Sequence, residues 1–187
     1  GDGGDHDAVQ VVGSGPDDPA YAVYRTYFAA ITAARQRLWI TTPYFIPDDA
    51  IMTALAVAAL ARVDVRVLVP KRGDSAIVDL AARSYFGELL TAGVKIYEYE
   101  PRFIHAKTMV VDDDLAIVAT ANLDNRSFRL NFELAALVYG GALTDQLARA
   151  FVDDLAAARP VSAADLERQS FRRRLGQASA RLLSPLL

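Results

Sequence analysis

Between Leu38 and Tyr99 the chain switches repeatedly between two hydrophobic periods, and few folds satisfy that alternation. LWITT (Leu38–Thr42) is a short apolar, β-branched run closed by Pro43. An Asp48–Asp49 pair suited to capping a helix precedes the apolar stretch Ala50–Ala61, and VDVRVLV (Val63–Val69) then alternates with a period of two. SAIVDLAARSYFGELLTAG (Ser75–Gly93) has helical spacing with Gly93 as its stop, and VKIYEY (Val94–Tyr99) is a strand again. Strand–helix–strand–helix–strand predicts an α/β fold, with crossover helices on a substantially parallel sheet. The Ala50–Ala61 run falls well short of the roughly 20 residues a membrane-spanning helix needs. It reads as a buried helix.

The rest of the chain is organised around this core. Residues 1–8 (GDGGDHDA) are expected to be mobile, and residues 9–187 to form one domain, since 187 residues at 52% hydrophobic can bury a sizeable core. VQVV (Val9–Val12) reads as a strand, GSGPDDP as a turn, and AYAVYRTYFAAITAARQR as a helix. Beyond Phe103, HAKTMVVD and LAIVATAN read as two strands joined by a turn at Asp113 and Asp114, with NFELAALVY (Asn131–Tyr139) as a third. From about Leu143 two helices are expected, separated by Pro160. A net charge of −3 argues against a broad nucleic-acid surface, so no nucleic-acid partner is expected. With no cysteine, thiolate chemistry is excluded.

The chain has two histidines, His6 and His105. In a strand, His105 and Lys107 share a face. A two-residue turn at Asp113–Asp114 would pair Lys107 with Thr120 and His105 with Asn122, converging an imidazole, an ammonium, a hydroxyl and an amide on one patch. Such a patch suits an anion beside a nucleophile or proton carrier. Two other readings stand beside it: a satisfied core histidine, or a metal site of His105 with Asp112–Asp114. Lys107 opposes the metal site, because an ammonium repels a cation. PYF (Pro43–Phe45) and YEYEPRF (Tyr97–Phe103) either line a pocket near this hairpin or belong to the core. Arg126, beside Asp124 and Ser127, either meets a second phosphate or stabilises the turn. The tail places Arg168, Arg172, Arg173, Arg174 and Arg181 beside Leu175 and Leu182, a pattern for a solvated helix face or for contact with anionic lipid.

HAKTMVVD fits the H-x-K-x-x-x-x-D signature of the phospholipase D superfamily through His105, Lys107 and Asp112. The family's G-S-x-N is similar to ATAN here, with Thr120 and Asn122 in place and Ala119 where the family has glycine; Glu133 matches a family glutamate. TPYFIPDDAIMTAL, NLDNRSFRLNFE and the ending RLLSPLL resemble the C-terminal half of bacterial cardiolipin synthases. The resemblance implies a phospholipase D-like half: a mixed, largely parallel central sheet with helices on both faces and a C-terminal helical extension. It also implies transfer of a phosphatidyl group between two phosphatidylglycerol molecules, giving cardiolipin and glycerol through a phosphohistidine.

In that reading His105, Lys107 and Asp112 are the catalytic signature. Lys107, Thr120 and Asn122 bind phosphate, Glu133 orients an imidazole, and no metal or other cofactor is needed. Asp112, at the hairpin corner, suits an architectural acceptor. The chemistry needs two histidines and His6 has no motif around it, so a second signature-bearing half is expected, from a missing N-terminal region or from a second copy of the chain. The implied setting is the bacterial inner membrane, reached through the missing region, with this fragment itself soluble.

Overall fold

In a computed structural model of the chain, the structure describes residues 8–182. His6 and the RLLSPLL ending beyond Leu182 lie outside them, as does the expected mobile segment except for Ala8. In chain order the elements are β1 (Ala8–Ser14), α1 (Ala22–Ala33), β2 (Arg37–Thr41), β3 (Phe45–Ile46), α2 (Asp49–Leu60) and β4 (Asp64–Pro70). There follow α3 (Ala76–Ser84), α4 (Phe86–Ala92), β5 (Lys95–Tyr99), β6 (Thr108–Val111), β7 (Leu115–Ala119) and β8 (Leu123–Asp124). The last are α5 (Asn125–Arg129), β9 (Glu133–Tyr139), α6 (Gly141–Ala156), β10 (Ala158–Pro160), α7 (Ala163–Glu167) and α8 (Phe171–Leu182).

One sheet takes the order β1-β9-β7-β6-β2-β4-β5-β10, and β3 and β8 pair separately. Strand alternation explains the layers. On β2, Leu38 and Ile40 enter one apolar cluster with α1 and α2 residues, whereas Trp39 enters the other with Phe151 of α6. Val67 on β4 and Met109 on β6 face the first cluster; Leu68 and Val110 face the second. Each such fully buried side chain contributes about 1.5–3 kcal/mol. Helices therefore cover both faces, as expected.

The expectation of a largely parallel sheet is corrected: the sheet is mixed. Only β2–β4 and β4–β5 are parallel, where crossover helices return the chain to the same end. The remaining ladders of this sheet are antiparallel: β6 and β7 form a hairpin that pairs with β2, β9 runs back along β7, and β1 lies against β9. Two element boundaries also differ. Ser75–Gly93 is not one helix; it breaks at Tyr85, and the adjacent Tyr85 and Phe86 are both buried around the break. Pro160 does not simply separate two helices. It ends β10 on the sheet edge, opposite Tyr97, where a residue without an N–H is tolerated.

The topology brings several strand ends to one rim. Thr41 at the end of β2 pairs with Thr108 at the start of β6, and Ala119 at the end of β7 pairs with Ala135 near the start of β9. The segments carrying His105, Lys107, Thr120 and Glu133 therefore emerge together.

Candidate active site

Phe103–Lys107 runs up to β6 and joins its ladder only at Thr108. The hairpin loop is Asp112–Asp114, so Val111 lies opposite Leu115, and the Ala119 N–H donates to the Lys107 carbonyl at 3.0 Å. This corrects the expected register by one residue: Lys107 faces Ala119, not Thr120. In a strand such a slip sends neighbouring side chains to the other face.

His105 is exposed, which removes the core reading. Lys107 Nζ lies 3.3 Å from both Nδ1 and Nε2 and 3.2 Å from the His105 carbonyl oxygen. Equal distances to the two ring nitrogens place the ammonium over the face of the imidazole. Phe103 packs on the ring at 5.4 Å between centroids, and Tyr44 meets it edge-on at 6.4 Å and 84°. Burial lowers the Lys107 pKa, opposed by the charges of Glu133 and Asp124.

Glu133 is 7% exposed. Its Oε2 accepts a short hydrogen bond from the Thr120 hydroxyl, and its Oε1 accepts from Asn131 Nδ2 at 3.1 Å. The Thr120 oxygen in turn accepts from the Leu134 N–H at 2.9 Å. The Thr120 hydroxyl, expected at phosphate, is engaged here by Glu133 and by the Leu134 N–H.

Asn122 sits on a segment pinned from three sides. The Tyr27 hydroxyl donates to the Ala121 carbonyl at 3.2 Å, the Asn122 N–H donates to Ser127 Oγ at 3.0 Å, and the Leu123 N–H donates to Thr42 Oγ1 at 3.3 Å. Asp124 caps α5 by accepting from the Ser127 N–H at 2.7 Å. Burial raises the Asp124 pKa, a tendency reinforced by Glu133 and opposed by hydrogen bonds from Ser127 and the Asn122 side chain. Asn122 Oδ1 is buried without a hydrogen-bond partner among the described residues. A cavity of about 380 Å³ opens here, its lining including Tyr44, Asp74, Asn122, Asp124 and Arg126.

Tyr44 was legible as a candidate; Asp74 was not. The Tyr44 hydroxyl donates to Asp74 Oδ2 at 2.7 Å, and burial with that bond pushes its pKa up to about 12. Asp74 lies in the loop after β4, at the carboxyl end of a parallel strand, a position where ligand-binding loops gather. Arg126 lines the cavity and makes no ion pair among the described residues, so the turn-stabilising salt bridge is not what holds it. Of the other aromatic candidates, Phe45 is core, and Tyr97 and Tyr99 pack against the Trp39 cluster.

Asp112 stands apart, across the length of β6. Its carboxylate accepts from the N–H groups of Arg35, Gln36 and Arg37 at 3.0, 2.7 and 2.9 Å. Burial alone would raise its pKa, but those N–H groups and the Arg37 charge hold it below the usual carboxylate range. It anchors the hairpin loop to the loop between α1 and β2 and does not reach the His105 cluster. The structure thus sets Asp112 apart from the other signature residues. The His105–Asp112–Asp114 metal set does not assemble either, since Asp112 faces backbone N–H groups and Asp113 pairs with Arg37 at 2.7 Å.

The geometry has relatives. Residues 27–155 match the family model described as cardiolipin synthase, PLD-like domain. The chain is 50% identical to a cardiolipin synthase of Geobacillus thermodenitrificans over 96% of its own length and 36% of that protein's. It is 50% identical to cardiolipin synthase 2 of Bacillus cereus over 98% of its length and 36% of that protein's. It thus spans little more than a third of these relatives. The fold superposes on a phospholipase D family member, Nuc, from Salmonella typhimurium, with a TM-score of 0.72 at 22% identity, covering 84% of this chain and all of that one. Phosphatidylserine synthase of Haemophilus influenzae gives a TM-score of 0.75 at 14% identity, over 98% of this chain and 48% of that one. The chain belongs to the family of phospholipase D-like domains found in cardiolipin synthases.

Proposed function

We propose that this chain is one half of a phosphatidyltransferase that joins two phosphatidylglycerol molecules into cardiolipin and releases glycerol. The observation that carries the reading is the exposed His105 imidazole with the Lys107 ammonium against both of its ring nitrogens. One histidine of a pair attacks phosphorus, forming a P–N bond while the bond to the glycerol oxygen breaks; the other histidine gives that oxygen its proton. The glycerol hydroxyl of a second phosphatidylglycerol then returns a proton to that histidine, attacks phosphorus and displaces the first. Phosphate charge grows at five-coordinate phosphorus, where Lys107 and the Asn122 amide stabilise it. Arg126, without a carboxylate partner among the described residues, suits the second phosphate. Glu133, held by Thr120 and Asn131, would orient an imidazole.

The second histidine belongs to another signature-bearing half, in the same polypeptide or in a second copy. Exposed apolar side chains beside Glu133 offer it a seat: Phe132, 77% exposed, with Leu134, Val11 and Val118. The test uses an assembled enzyme containing this chain and radiolabelled phosphatidylglycerol. His105→Ala should cut cardiolipin formation by about a thousandfold or more with an unchanged melting curve. Retention of substantial turnover would refute the assignment.

A further inference from the structure

Helix α8 presents a second apolar face that no packing among the described residues uses. Gln177 and Ala180 of α8 are buried, Arg181 stacks over the Tyr85 ring at 4.6 Å, and α8 packs along α3. On the outward side Phe171, Leu175 and Leu182 are 78%, 56% and 82% exposed. A rotation of 100° per residue places these three on one stripe, with Arg172 to one side and Arg174 to the other. Neither Arg172, Arg173 nor Arg174 makes an ion pair among the described residues. The chain as a whole carries −3, so this helix is opposite in sign to the average surface. A merely solvated face has no need of three large apolar side chains in line.

On the opposite side of α8, charged cavities lie between the helix and the site. Arg173 lines a cavity of about 560 Å³ together with Lys71, Arg72 and Arg83. Lys71 and Arg72 also line a second cavity, of about 290 Å³, whose wall includes Arg102 and Phe103. Phe103 is the ring that packs on His105. Carboxylates share these walls: Lys71 pairs with Glu100 and Arg83 with Glu98, and Asp79 and Asp165 also line the larger cavity, so cations are in excess but not alone.

We propose that α8 lies in the plane of an anionic bilayer surface, with Phe171, Leu175 and Leu182 among the upper acyl chains and Arg172 and Arg174 at the phosphates. Apolar burial flanked by arginines fits a membrane interface, where the two attractions add. The inference rests on α8 and not on the catalytic reading.

The test is sedimentation of the 187-residue chain with equimolar phosphatidylglycerol–phosphatidylcholine vesicles and with pure phosphatidylcholine vesicles. Binding should require the anionic lipid. Phe171→Ser with Leu175→Ser should weaken it about tenfold or more. Arg172→Gln and Arg174→Gln should weaken it about fivefold each. These side chains are exposed, so the melting curves should not move. Phe171→Trp should give an emission that shifts to the blue on vesicles and is quenched by brominated acyl chains, over the constant signal of the packed Trp39. Replacing phosphatidylglycerol by phosphatidylserine in the vesicles should leave binding intact, which separates this inference from the fate of the catalytic one. Equal binding to both vesicle types, undiminished binding of the serine double variant, or a fall in solution mass of that variant with vesicle binding intact would overturn it. The last result would make the stripe a contact between copies.

Discussion

Asp112→Ala separates architecture from chemistry in the family signature. Three backbone N–H groups lose their acceptor. Because the site is partly open to water, each bond is worth about 1 kcal/mol rather than a full burial penalty. Asp112 also sits at φ +50°, a left-handed conformation that aspartate tolerates and alanine resists by about 1 kcal/mol. The expected loss is about 3–4 kcal/mol, or a melting temperature lower by about 10 °C for a chain of this size. The Arg37–Asp113 pair survives, so the hairpin still forms. Near-ultraviolet circular dichroism of Trp39, stacked on Phe151 at 5.3 Å, reports the transition.

The pH dependence has a definite sign. The folded-state pKa of Asp112 is held below its ordinary 3.8, so its stabilisation is complete above about pH 5 and fades as pH falls through the lowered value. The gap between wild type and variant should therefore close in acid. Asp112→Asn, which keeps an acceptor oxygen and tolerates φ > 0, should fall between the two. In an assembled enzyme the folded Asp112→Ala variant should turn over within about threefold of wild type. A melting curve indistinguishable from wild type, or a gap that persists in acid, would refute the structural reasoning. An intact fold with turnover lost would place Asp112 in the chemistry.

Two further predictions concern buried charge. Asp124→Asn keeps the α5 cap but removes a carboxylate that supports the Lys107 ammonium, so the Lys107 titration seen by NMR should move to lower pH; an unmoved or higher titration would contradict it. Arg83→Leu leaves Glu98, 2% exposed, with only Arg159 at 3.8 Å; urea unfolding should show a loss of about 3 kcal/mol, largely recovered by adding Glu98→Leu. A single variant as stable as wild type would show that the pair contributes nothing.

The parts legible in the sequence were those set by local pattern. The cap of α2 was readable to within the Asp48–Asp49 pair, of which Asp48 accepts from the Ile51 N–H at 2.9 Å; Gly93, at φ +97°, ends α4. The His105–Lys107 pair was readable because two residues of extended chain share a face wherever the strand goes. The pairing across the hairpin was not, because it depends on the loop length, and a third loop residue was invisible until Asp112 was seen bonded to the chain before β2. That slip is what diverts Thr120 to Glu133. Asp74 was illegible for a related reason: its bond to Tyr44 joins residues 30 apart in sequence, brought together only by the order of β2 and β4 in the sheet.

The central claim is that His105 and Lys107 together hold an anionic phosphate. The chain has two histidines, so long-range ¹H–¹⁵N imidazole spectra of the 187-residue chain resolve each one, with His105→Ala supplying the assignment. Titration with glycerol 1-phosphate should move the His105 resonances saturably, and Lys107→Ala should weaken that response about tenfold or more while His6 stays still. His105 resonances that do not respond, or that respond equally without Lys107, would contradict the claim.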